Sequence, residues 1–234
     1  MKNTATKHLS STEDLWQKDR DHVIHPYTNF EKFGEDGAVI YASGKDHFIF
    51  DIEGNRYLDG IAGLWCVNIG HGNRELAELM ADQAMRMAYY NTFEDAGSVP
   101  AAELAAKLAE IAPGNLNRVF FGTGGSMAND TAIKIVHYYF NQLGKMQKKL
   151  VISRNLAYHG STYLAHTLTG IQSTHLGFDL APGLVHYVSA PYPYRRPVEL
   201  SEETFTDFLI AELEAKILAL GPDRVACFIA EPIL

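Results

Sequence analysis

An α/β fold is predicted, a mostly parallel sheet with helices on both faces, preceded by an N-terminal segment of short antiparallel strands and incomplete at its C-terminus. Three observations carry this. Residues 38–60 hold β-branched and aromatic runs broken at Ser43-Gly44 and Glu53-Gly54-Asn55, the pattern of short antiparallel strands. From His71 onward the apolar spacing turns helical and then alternates between strand-like and helix-like stretches, as in a parallel sheet whose crossovers are helices. The final residues, VACFIAEPIL, stop directly after a strand of the buried type with no helix to cover it. The chain is therefore expected to be a fragment, a split gene product or a truncated form, with 1–70 belonging to a small domain and 71–234 to an incomplete large one.

Taken in order, 73–88 and 99–111 place apolar residues at helical spacing, the second through Val99, Leu104, Leu108 and Ile111, and Pro113-Gly114 closes it. Arg118–Phe121 reads as a short apolar strand, 126–143 as a helix, 149–154 as a strand, 202–220 as a helix and 225–230 as an apolar strand.

With 234 residues and 47% hydrophobic content the chain can bury a sizeable core. Its 20 Lys+Arg against 28 Asp+Glu leave a net charge of -8, which offers no basic footprint for nucleic acid or an anionic membrane. The N-terminal stretch MKNTATKHLSSTEDLWQKDRDH lacks the apolar run of a secretory signal, and no later run approaches a membrane span, so a cytoplasmic enzyme is expected. Cys66 and Cys227 lie far apart between apolar neighbours and are expected to be buried free thiols. His22 and His25 have the spacing of a metal pair, but no carboxylate or third histidine is evident nearby, so no metal is expected.

The densest chemical signal is Phe120-Phe121-Gly122-Thr123-Gly124-Gly125-Ser126-Met127-Ala128-Asn129-Asp130, a strand, a glycine-rich turn and a helix start. Glycines let backbone N–H groups converge, a helix N-terminus adds unpaired donors and partial positive charge, and Ser126 adds a hydroxyl, so the turn favours a phosphate. The plain alternative is a tight turn with Ser126 as helix cap. A Walker loop needs a lysine after the glycines, and a dinucleotide fingerprint needs glycine where Met127 stands. A nucleophile elbow is the stronger rival: Gly124-Gly125-Ser126-Met127-Ala128 approximates G-x-S-x-G, and Asp179 and His186 follow in the order a serine hydrolase requires.

A second cluster, Ala157-Tyr158-His159-Gly160-Ser161-Thr162, follows the strand at 149–154. An aromatic at the C-terminal edge of a parallel strand lies where open α/β sheets bind ligands, and its face can stack on a heteroaromatic ring. Phosphate cradle and stacking platform would then serve one ligand.

With these motifs the chain resembles the class III (ω-amino acid and amine:pyruvate type) aminotransferases, pyridoxal-phosphate enzymes of fold type I. HPYTNF at 25–30, LDGIAGLWCVNIGHG at 58–72, YYNTF at 89–93 and Ala230-Glu231-Pro232-Ile233 add to the resemblance, which covers nearly the whole chain. It implies pyridoxal 5'-phosphate as cofactor, a homodimer, and transfer of an amino group from an amine or ω-amino acid to a keto acid, pyruvate being favoured by the Gly-Leu-Trp-Cys stretch. Carried over by position, Gly124, Gly125 and Ser126 resemble the phosphate binders, Tyr158 the residue stacked on the pyridine ring, His159 its neighbour, and Glu231 the acid that orders the cofactor site. Tyr27, Trp65 and Phe93 resemble the aromatic walls of the substrate pocket. The family's usual Ser-Gly-Ser-Glu is Gly124-Gly125-Ser126-Met127 here, which removes one hydroxyl and one carboxylate beside the phosphate.

In that family the aspartate facing the pyridine nitrogen and the Schiff-base lysine both follow the Glu-Pro motif, beyond Leu234. No catalytic residue is therefore assigned within the chain, and residues 1–234 alone are expected not to transaminate. A non-catalytic remnant acting only by association is the alternative.

Overall fold

Helix α1 (Thr12–His22) begins where the Ser11 hydroxyl accepts the Asp14 amide at 3.1 Å, and α2 (Phe30–Asp36) where Asn29 accepts the amides of Glu31 and Lys32, both ordinary N-cap chemistry. Neither helix was legible beforehand, because each is short and polar. The computed structural model describes residues 11–233 and divides them into two units, one ending at Leu104 and the other starting at Ala105.

In the first unit the expected strands form an antiparallel meander of β1 (Tyr41–Lys45), β2 (Phe48–Asp51) and β3 (Arg56–Leu58). Asp51 ties its second turn, accepting from the amides of Glu53 and Asn55, the Asn55 side chain and the Tyr57 hydroxyl. Next comes a one-turn element, α3 (Ala62–Trp65), that winds the wrong way. Ala62, Gly63, Leu64 and Trp65 have φ of 49, 59, 65 and 64° in succession, a left-handed turn. For Ala62, Leu64 and Trp65 that conformation costs about 1 kcal/mol each. Hydrogen bonds from Trp65 to Ile61 (2.7 Å) and from Cys66 and Val67 to Ala62 (both 2.9 Å) offset part of it. Helices α4 (Arg74–Met87), capped by Asn73, and α5 (Val99–Ile111), which runs across the division, match the helical periods in the sequence.

The second unit is built on a parallel sheet ordered β5 (Val185–Val188), β4 (Leu150–Arg154), β6 (Val225–Phe228). Successive residues of the central strand point to opposite faces, so each face needs its own cover. Val151 packs with Ile133 of α6 (Gly125–Gln142) and Leu168 of α7 (Tyr163–Leu168). Ile152 packs on the other side with Val188 and Val225, flanked by Leu213, Ile217 and Leu220 of α8 (Glu202–Leu220). Val151 and Ile152 are fully buried, each stabilising by about 2 kcal/mol. Helices lie on both faces, as predicted.

Arg118–Phe121 is not a strand. It has no ladder partner among the described residues, and Phe120 and Phe121 are 67% and 43% exposed. An apolar run becomes a strand only when a neighbour takes its N–H and C=O groups. Conversely, α7 and β5 were missed in sequence, being short and hidden among turn residues. Cys66 and Cys227 are free thiols, but neither is buried: Cys66 is exposed, because the left-handed turn leaves it at the surface, and Cys227 is partly buried. No helix among the described residues is long and apolar enough to cross a membrane.

Candidate functional site: an anion cradle beside an aromatic platform

The glycine-rich turn delivers its chain directly into α6. Gly124 is the N-cap and has no side chain to offer, so the first-turn amides receive no side-chain acceptor. A Cβ on Gly124 or Gly125 would meet nothing within 4 Å, so the turn is uncrowded beside both glycines. Ser126 is not the cap; it sits inside the first turn, and its Oγ accepts the Ser161 amide at 3.0 Å. A hydroxyl that accepts one hydrogen bond still has its proton to donate. Met127, which replaces the glutamate of the resembled family's pattern, takes the Thr123 hydroxyl on its sulfur at 3.6 Å.

The same helix holds the second cluster in place. Ser126, Asn129 and Asp130 share one face through their i, i+3, i+4 spacing. Asn129 Nδ2 donates to the His159 carbonyl at 2.7 Å, and Asp130 Oδ1 accepts the Ala165 amide at 2.8 Å. Gly160 lies so close to the helix that a Cβ would come within 2.4 Å of Ser126 Oγ and 2.8 Å of Ser126 Cα, and its φ of 134° excludes most side chains as well. Thr169, fully buried, accepts the His159 amide at 3.0 Å. Cradle and platform are thus one rigid assembly.

The end of β6 supplies the third part. Arg154, the last residue of β4, donates through Nη2 to both the backbone carbonyl and Oε2 of Glu231, the latter at 2.9 Å. Glu231 Oε1 accepts the Tyr158 amide at 3.3 Å, and its Oε2 lies 3.8 Å from His159 Nε2. Burial raises the Glu231 carboxyl, but its own amide, the Arg154 guanidinium, the His159 charge and the Tyr158 amide outweigh this and hold it below the usual range. The His159 imidazole is pushed down, first by burial and then by Arg154, with Glu231 opposing. His159 Nε2 is buried without a hydrogen-bond partner. The Tyr158 side chain, by contrast, is 50% exposed, free to be covered by a flat ligand.

The structure therefore brings Gly124, Gly125, Ser126, Tyr158, His159 and Glu231 into one assembly. Tyr27, Trp65 and Phe93 belong to the other unit, where each is more than 70% exposed. Arg154, Asn129, Asp130 and Thr169 went unassigned in sequence; the i+3, i+4 spacing from Ser126 was the available signal for two of them. The hydrolase reading does not hold. Ser126 Oγ meets a backbone amide, and no hydrogen bond joins Ser126, Asp179 and His186 among the described residues. His25 is not free of carboxylates either, since its Nε2 lies 2.8 Å from Asp19. No cluster of three or more metal-type side chains occurs among the described residues.

Comparison with known proteins agrees with this geometry. The family model described as aminotransferase class-III matches residues 33–234. The chain is 41% identical over 231 residues to a diaminobutyrate–2-oxoglutarate transaminase of Halomonas elongata, covering 97% of this chain and 49% of that one. It is 41% identical over 220 residues to a putrescine–pyruvate aminotransferase of Pseudomonas aeruginosa, covering 93% and 48%. Among solved structures, an (S)-enantioselective omega-transaminase from Thermomicrobium roseum superposes with a TM-score of 0.92 at 42% identity, over 95% of this chain and 50% of that one. An omega-transaminase from Pseudomonas jessenii, solved in complex with PMP, gives 0.92 at 41%, over 96% and 49%. The chain spans about half the length of these relatives. With a family model across most of its residues and this likeness in sequence and fold, the chain belongs to the class III aminotransferases.

Proposed function

We propose that the chain forms the phosphate-and-ring half of a pyridoxal-phosphate site, in a protein that moves an amino group from an amine or ω-amino acid to a keto acid, with pyruvate as acceptor. The observation that carries the reading is the convergence of the uncapped α6 N-terminus, the half-exposed Tyr158 phenol and the Arg154–Glu231–His159 cluster. The residues fit the group: an uncapped cradle of amides suits a phosphate dianion, and an exposed ring beside a buried imidazole with an unpartnered nitrogen suits a polar heterocycle. When bound, the cofactor supplies an electron sink for the carbon that carries the amine.

In this reading Gly124, Gly125 and Ser126 hold the phosphate through backbone amides and one hydroxyl. Tyr158 covers one face of the ring, His159 and Glu231 order its edge, and Tyr27, Trp65 and Phe93 wall the substrate pocket. The full-length protein works as a homodimer, with 1–70 in its small domain and 71–234 in the cofactor domain. No bond of Ser126, Tyr158, His159 or Glu231 goes to a lysine among the described residues. Lys149 faces Asn141 and the His137 carbonyl, Lys148 the Pro222 carbonyl, and Lys107 pairs with Glu110. In this reading residues 1–234 by themselves bind the phosphate end and do not transaminate.

The test gives the purified chain pyridoxal phosphate, putrescine or benzylamine, and pyruvate or 2-oxoglutarate. Quenching of tyrosine fluorescence by the cofactor, competed by inorganic phosphate, is expected, with no alanine or glutamate formed. Absence of quenching overturns the site assignment, and amino acid formation overturns the inactivity.

A further inference from the structure

The left-handed turn α3 presents Trp65 and is held by the side chains of Asp59 and His71. The Asp59 side chain is 6% exposed; its Oδ1 accepts the Gly63 amide at 3.0 Å and its Oδ2 lies 2.9 Å from His71 Nε2. Asp59 and His71 are both anchored at the turn between β1 and β2. The Asp59 amide donates to His47 at 2.9 Å, while Asp46 and His71 exchange backbone hydrogen bonds of 2.9 and 2.7 Å. Gly44 leaves room for the imidazole, since a Cβ there would come within 2.5 Å of its Cγ. Three consecutive-turn residues with side chains, Ala62, Leu64 and Trp65, are thereby kept at positive φ while the indole stands 74% exposed. Strain of this kind persists only where the surroundings over-determine it.

We propose that Asp59 and His71 are positioning residues that latch Ala62–Trp65 in the left-handed form, set where the Trp65 indole stands, and so determine which amine donors are accepted. The specificity part rests on the reading of Trp65 as a pocket wall; the latch itself does not. Without the carboxylate acceptor the Gly63 amide and the His71 imidazole lose their common partner, and the turn is free to relax to the right-handed side that Ala, Leu and Trp prefer. The low position of the Asp59 carboxyl, held there first by the Gly63 amide and then by His71, accords with a group serving as acceptor.

The experiment labels the chain with fluorotryptophan, whose two sites, Trp16 and Trp65, are told apart by a Trp65→Phe variant. Asp59→Ala and His71→Ala are expected to move or broaden the Trp65 fluorine resonance and leave that of Trp16. Adding Leu64→Gly to Asp59→Ala is expected to restore it, because glycine adopts positive φ freely. A Trp65 resonance unmoved in both single variants, or unrestored by glycine, overturns the latch. Stable reduced phosphopyridoxyl adducts of benzylamine and β-alanine then probe the pocket. The preference for the benzyl adduct is expected to fall about fivefold in both variants, the scale of one lost aromatic contact. A preference that holds while the resonance moves overturns the specificity role. If the unaltered chain binds neither adduct, the cofactor-site reading and the specificity role fall together, while the fluorine result still decides the latch.

Discussion

Gly160 joins the two halves of the site, because any side chain there drives the Ser161 amide away from Ser126 Oγ. Gly160→Ala is expected to cost about 3 kcal/mol, from overpacking and from the positive φ together, read as a lowered urea midpoint. Arg154 acts from the opposite side: Arg154→Met leaves Glu231, partly buried, without its cation. A loss of about 2 kcal/mol is expected, smaller than for a fully buried pair, along with a rise of the Glu231 carboxyl toward its ordinary range in a carbon-detected NMR titration. At this scale the sequence was informative where a residue type has one strong use. Glycines ahead of a helix, a serine in its first turn and an aromatic after a strand each point to a ligand. Arg154 was silent, because a strand-ending arginine is ordinary until Glu231, 77 positions on, is folded against it.

Helix α6 serves twice, leaving its N-terminus without a side-chain cap and giving its Asn129–Asp130 edge to the platform loop. Asp130→Ala unties the Ala165 amide at the start of α7 and is expected to lower stability by about 1.5 kcal/mol, with faster hydrogen exchange confined to 159–168. Long elements with clear periods, such as α4, α5, α6 and α8, were legible to within a residue or two. Those that failed share a cause: their conformation is decided by partners rather than by their own composition. Arg118–Phe121 and β5 are alike in composition, each a short run with three β-branched or aromatic residues, yet only β5 has a neighbour, β4, to take its backbone groups, and α3 follows no propensity at all. Of the site, the cradle and the platform were readable as local motifs, while their attachment to each other, through Asn129, Asp130 and Gly160, required the fold.

Across the molecule, acidification acts through two groups of the same cluster. His159 has its folded pKa below the ordinary 6.5, so the unfolded chain takes up that proton first and stability falls as pH drops through that value. Glu231 is held below its ordinary 4.5, so its contribution is present above that value and is lost as pH falls through its lower folded pKa. Both terms have the same sign: the urea midpoint is expected to decline from about pH 7 to about pH 5 and then more steeply, with the first decline absent in His159→Gln. The bond from the Tyr158 amide to the Glu231 carboxylate reaches over 73 positions, and that span bears on biosynthesis. A growing polypeptide leaving the ribosome has its anion cradle and its aromatic ring exposed to the cell well before the acid that steadies them has been translated. That corner therefore matures later than the central strand, and a ribosome that stalls ahead of codon 231 releases a product in which the Tyr158 amide lacks its Glu231 acceptor.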